Sequence, residues 1–155
     1  MNNFSKITVF IFLVAGLLFY SCKKKVKFSV EPEIIFKSFE KFDLDSAHLV
    51  ISFTDGDGDI GPIQEGDTAT NYFINYYQKV NGVFIQKSFS ALNKRIPNLN
   101  SGKKSKSLEG DIVINMLPPF YFNTSKKDTF QFEMYIVDRA LHQSNRVRSD
   151  EITAP

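Results

Sequence analysis

A chain of 155 residues, 43% hydrophobic and 14% aromatic, carries enough apolar side chain for one domain with a real core. Sixteen Phe against eight Gly exclude a disordered, collagen-like or low-complexity chain. Nineteen Lys+Arg against 17 Asp+Glu, +2 overall, exclude nucleic-acid binding driven by bulk charge, and one cysteine with two histidines (His48, His142) excludes an internal disulfide and any multi-histidine or cysteine-based metal centre.

Met1 to Lys6 is short and polar, and Ile7 to Tyr20 then runs fourteen residues without a charge. A bilayer span needs roughly 20 apolar residues; fourteen fit the h-region of a secretory signal peptide. Leu18-Phe19-Tyr20-Ser21-Cys22, a small residue before the sole cysteine at the end of that region, resembles a bacterial lipoprotein signal. The resemblance implies cleavage before Cys22 and acylation of the new N-terminus by chains such as palmitate. Several acyl chains, at about 0.8 kcal/mol per buried methylene, hold a protein firmly on a membrane. The alternative is an ordinary signal anchor that happens to contain Cys22. Residues 1–21 therefore read as signal peptide and residues 22–32 as the lipidated Cys22 with a basic tether. The KKKVK run of that tether either faces anionic headgroups or is a plain solvated spacer. Residues 33–155 read as the folded domain.

Period-2 alternation recurs through that domain. Glu33 to Phe39 is the first predicted strand. In Ala47 to Thr54 the odd positions form one apolar face. Tyr72 to Val80 and Val83 to Phe89 flank Asn81-Gly82, a type I′ hairpin signal because both central residues must accept positive φ. Ile112, Ile114 and Met116 share a face; Phe130, Phe132, Met134 and Ile136 form the cleanest one, within Thr129 to Val137; Arg146 to Ile152 is the last strand. No window shows a capped 3.6-residue stripe. Seven short strands separated by turn chemistry predict an all-β, immunoglobulin-like antiparallel β-sandwich, with a small barrel as the alternative. Of the connections, Asn98 to Ser107 is polar and basic, a solvated crossing. Leu117 to Phe122 (LPPFYF) is a proline-rigid turn whose rings either cap the sandwich or offer a ligand platform.

The acidic glycine loop Thr54-Asp55-Gly56-Asp57-Gly58-Asp59-Ile60-Gly61 is the segment with chemistry. Between Asp55 and Asp67 lie five of the 17 acidic residues and four of the eight glycines, with no Lys or Arg. Like charges at alternate positions repel by about 1 kcal/mol per pair even in water, so the cluster calls for a cation or for full solvation. Alternate carboxylates can wrap a hard ion such as calcium at oxygen distances of roughly 2.3–2.6 Å. The loop is not an EF-hand, since Ile60 and Gly66 stand where Gly and Glu would be required. Its competing reading is a solvated turn of Asx type. Strand phase favours a site: Asp55 continues the inward face of Leu49, Ile51 and Phe53, and Asp138 continues that of Phe130 to Ile136. In an alternating sandwich both ends reach the same pole, where two inward carboxylates need a counter-charge. Calcium, Arg139, Arg146 or loop amides are the candidates. The expected metal set is Asp55, Asp57, Asp59 and Asp138, with calcium as the ion.

SFTDGDGDIG after a strand, the NGVF hairpin and VDRALHQSNRV before the last strand resemble a group of small lipoproteins of Bacteroidetes-type bacteria, in which Leu141 stands where a glycine would be expected. The resemblance implies lipidation, this fold and an outer-membrane address, but no activity. An enzyme is not expected: His142, Ser144 and Asp138 lie in one turn, whereas a triad is assembled from distant segments, and no phosphate loop or nucleophile elbow occurs. His48 falls on the polar side of its strand. The expected function is a membrane-anchored, non-catalytic, structural or protein-interaction domain. A glycan-binding module of the cell envelope, stacking sugars on Tyr72, Tyr76, Tyr121 and Phe122, is the alternative.

Overall fold

The computed structural model describes residues 27–43, 46–64, 66–88, 92–100, 106–116 and 128–153. The signal peptide, Cys22 and the LPPFYF turn with Tyr121 and Phe122 lie outside the described residues. Among the described residues eight strands form two antiparallel sheets: β1 (Glu33–Asp43), β2 (Ser46–Asp55), β3 (Tyr72–Val80), β4 (Val83–Lys87), β5 (Leu108–Met116), β6 (Thr129–Ile136), β7 (Val147–Arg148) and β8 (Ile152–Thr153). The first sheet runs β1-β2-β5; the second runs β4-β3-β6-β7, with β8 also on β6. This is the strand order of an immunoglobulin-like sandwich whose fourth strand has joined the second sheet. One buried cluster draws on both sheets, from Leu49 and Ile51 of β2 to Ile74 of β3 and Phe130 to Ile136 of β6.

Alternation creates this core. Along β2 the even positions are half-exposed and the odd ones buried, and β6 repeats the pattern with Phe130, Phe132, Met134 and Ile136 inside. Each such side chain contributes roughly 1.5–3 kcal/mol on leaving water. Phe39 reaches across from β1 to touch Phe130 and Phe132, with ring centroids 6.2 and 5.7 Å apart. It faces inward together with Ile34 and Phe36 because a bulge between Phe36 and Ser38 resets the strand's phase. The same bulge explains why β1 runs on to Asp43 beyond the predicted Phe39. The Asn81-Gly82 turn is as expected, with φ of 51° and 82° and Val80 opposite Val83.

The predicted last strand is broken into β7 and β8. Buried Ser149 lies between them: its amide donates to the Phe132 carbonyl at 2.9 Å while its hydroxyl accepts the Phe132 amide at 3.0 Å. A hydroxyl therefore stands in for a ladder carbonyl. Ser144 repeats the device on Ile136, with both bonds at 3.0 Å.

Candidate metal centre

Asp55 ends the buried face of β2 and is itself fully buried. The chain then leaves the strand through three glycines, each crossed by another segment. The Gly56 amide donates to the Ser29 carbonyl at 2.6 Å, and a Cβ there would come within 2.5 Å of the Phe28 and Ser29 carbonyl oxygens. Gly58, at φ +69°, lies against the Lys106 carbonyl, and Gly61, at φ +86°, against that of Pro97; neither could carry a side chain. Asn100 donates to the Gly58 carbonyl at 3.3 Å, and Ile60, between Gly58 and Gly61 in the chain, is buried in the core. Sequence reasoning assigned the glycines to ion wrapping. Their second role, clearance for three passing backbones, has no local signature.

Asp55, Asp57 and Asp59 each present one carboxylate oxygen such that all three lie within 4.8 Å of one another, a cluster that could hold a metal ion. Asp55 Oδ2 accepts the Asp59 amide four residues on at 3.0 Å, closing the loop. Asp55 Oδ1 and Asp59 Oδ1 are buried without a hydrogen-bond partner. Burial, reinforced by the neighbouring carboxylate of Asp57, pushes the Asp55 carboxyl up to about 6. Burial also raises Asp59, with the charges of Asp138 and Asp57 adding to it and Arg139 opposing.

Asp138 arrives at the same pole, buried at the end of the β6 face as its phase predicts. The two tips meet directly: the Arg139 amide donates to the Asp59 carbonyl at 3.4 Å, the Ala140 amide to Asp59 Oδ2 at 3.2 Å, and Arg139 Nη1 to the Gly61 carbonyl at 2.6 Å. The Asp138 carboxylate, however, is directed at His142. Oδ1 accepts the His142 amide at 2.8 Å and Oδ2 lies 2.9 Å from His142 Nδ1. Asp138 thus acts on the cluster through its charge, while its oxygens belong to the 138–142 turn. That hydrogen bond and charge raise the His142 pKa. The sequence places His142 in the same turn as Asp138 but does not number it among the counter-charges; its spacing of four from Asp138 was the available signal. Ser144 uses its hydroxyl on backbone groups, donating to the Asn145 carbonyl at 2.8 Å. Leu141 takes the left-handed conformation expected of glycine, at φ +69°, with its side chain in solvent.

Two other expectations are corrected. Arg146, weighed as a counter-charge for this pole, instead pairs with Glu133 at 3.3 Å and lies over Tyr135 at 4.2 Å. Tyr72 and Tyr76 do share a face, but it is the inner one. Both are buried, and Tyr76 packs on Phe130 with centroids 5.6 Å apart. Burial pushes the Tyr76 hydroxyl up to about 12 and raises that of Tyr72 further still. Neither ring is available to stack a sugar. His48 is half-buried, its ring 4.4 Å from that of Phe42. Among the described residues no helix is long and apolar enough to cross a membrane. No known protein family, curated protein or solved structure matches the chain.

Proposed function

We propose that this protein is a lipid-anchored, non-catalytic β-sandwich of the bacterial outer membrane whose Asp55-Asp57-Asp59 loop binds calcium and stiffens one pole, in a structural or protein-interaction role. The observation that carries the cation reading is Asp55: wholly buried, with Oδ1 lacking a hydrogen-bond partner and two further carboxylates beside it. Such a group is costly when ionised. A divalent ion at the convergence point neutralises it, and three carboxylates with no nitrogen or sulfur donor suit a hard ion. Calcium fits better than magnesium because its coordination is flexible, whereas magnesium demands near-octahedral geometry and keeps its waters. Asp138 adds its negative charge beside Asp59 without turning an oxygen to the ion, and His142 orients its carboxylate.

The anchor reading is supported by the fourteen-residue apolar run and by Ser21-Cys22 at its end. The glycan alternative loses Tyr72 and Tyr76 to the core and receives no further support. Calorimetric titration with calcium chloride, alongside thermal melts in millimolar calcium, magnesium and chelator, tests the cation. Binding at about 10⁻⁴–10⁻³ M is expected, as in extracellular modules. A melting temperature unchanged between calcium and chelator, with no heat of binding, would refute it. For the anchor, Cys22→Ala is expected to leave the protein unacylated by mass spectrometry and absent from the outer-membrane fraction.

A further inference from the structure

The same loop is joined to the segment that enters β1, and we infer that a cation held by Asp55, Asp57 and Asp59 stiffens the joint between the sandwich and the chain preceding it. This rests on the cation reading above and adds a consequence to it. Gly56 lies between two of the three carboxylates, so its flanking peptide groups must be fixed for both to reach one ion. Its amide is the donor to the Ser29 carbonyl at 2.6 Å, and the Phe28 and Ser29 carbonyl oxygens occupy the space a side chain on Gly56 would need. Loop and entering segment are therefore in backbone contact.

The segment has a second hold that does not involve the loop. The Asn145 side chain accepts the Ile34 amide at 2.8 Å and donates to the Ile34 carbonyl at 2.9 Å, and Pro32 and Ile34 are buried. Ile34 is clamped whatever the state of the acidic loop. Phe28 and Ser29 are joined to the acidic loop through the backbone of Gly56. With a cation bound, three carboxylates gather on one charge and Gly56 is fixed between them. Without it, the ionised carboxylates repel, and the hold of the Gly56 amide on Ser29 loosens. The chain before Pro32 then pivots about the Asn145 clamp. By linkage, docking of Phe28-Ser29 must tighten cation binding by the same factor that the cation tightens docking. On a lipid-anchored protein, the cation would set how freely the domain swings on its tether.

Amide hydrogen exchange on the whole chain in detergent micelles, run beside calorimetry with calcium chloride, tests this. Calcium is expected to slow exchange of the Gly56 amide by about 10-fold or more, with little change at Ile34. Phe28 lines a cleft with Ile34, Phe53 and Asn145; Phe28→Ala, which removes no loop group, is expected to weaken calcium binding by about 5-fold or more. If calcium binds but neither Gly56 exchange nor the Phe28→Ala affinity changes, the coupling is overturned and the cation site stands. If calorimetry detects no binding, both fall.

Discussion

Asp55→Asn is the sharpest perturbation of the acidic loop, because calcium should cancel its effect on stability. In the metal-free protein the Asp55 carboxyl sits at about 6 instead of its ordinary 3.8. At 1.36 kcal/mol per pKa unit, ionising it at pH 7.5 costs the fold about 3 kcal/mol. The folded state holds the proton more tightly than the unfolded one. This group's contribution to stability is therefore fully present below 3.8 and is lost as pH rises through about 6. Asparagine has the same shape: its carbonyl oxygen still accepts the Asp59 amide, and its amide group adds a donor among carboxylates. In chelator at pH 7.5, Asp55→Asn should stabilise the protein by up to about 3 kcal/mol, on the order of 10 °C in melting temperature. Near pH 4 the gain should shrink towards zero. At a calcium concentration 100 times Kd the wild type gains about 2.7 kcal/mol, and the variant little or none. Denaturant unfolding of both proteins at pH 4 and 7.5, with calcium and with chelator, measures all of these. If the variant is less stable than wild type in chelator at pH 7.5, Asp55 is a satisfied structural carboxylate and the argument for the ion fails.

Glycine substitutions separate conformation from crowding. Gly58→Ala, strained in φ and driven into the Lys106 carbonyl, should cost about 2–4 kcal/mol, whereas Gly82→Ala, at φ +82° but facing open space, should cost only about 1; equal losses in urea melts would contradict the crossing geometry. Leu141→Gly relieves a left-handed leucine whose side chain is 81% exposed, and should raise stability by up to about 1 kcal/mol net of glycine's entropy. A clear loss would mean that the leucine makes a contact of its own. Burial pushes the Glu133 carboxyl up, but hydrogen bonds from Arg148 and Arg146 outweigh it and lower the pKa below 4.5. Its contribution is therefore present above that value and lost as pH falls through the folded pKa. Glu133→Gln should cost about 1–2 kcal/mol at pH 7 and almost nothing in strong acid, read from urea midpoints at the two pH values.

Much of the architecture could be read from the chain alone, because strand phase is a local property. A side chain two residues along a strand faces the same way whatever else the protein does. The alternation in β2 and β6 therefore placed Asp55 and Asp138 inside and carried them to one pole, and Asn81-Gly82 specified its own turn. Where the phase slips, local reading stops: the bulge at Phe36/Ser38 hid the far half of β1, and Ser149, substituting its hydroxyl for a carbonyl, split the last strand.

Other features depended on tertiary structure. Alternation divides β3 into Tyr72, Ile74 and Tyr76 on one side and Phe73, Asn75 and Tyr77 on the other, both aromatic, so only the covering sheet decides which rings are buried. The commitment of Asp138 to His142, the backbones passing over Gly56, Gly58 and Gly61, and the Asn145 clamp on Ile34 are likewise settled in three dimensions. A residue's own sequence carries its conformational preferences and its charge. Which distant segment will fill the space beside it is decided only when the two sheets close, because that choice is made by the packing of the whole core.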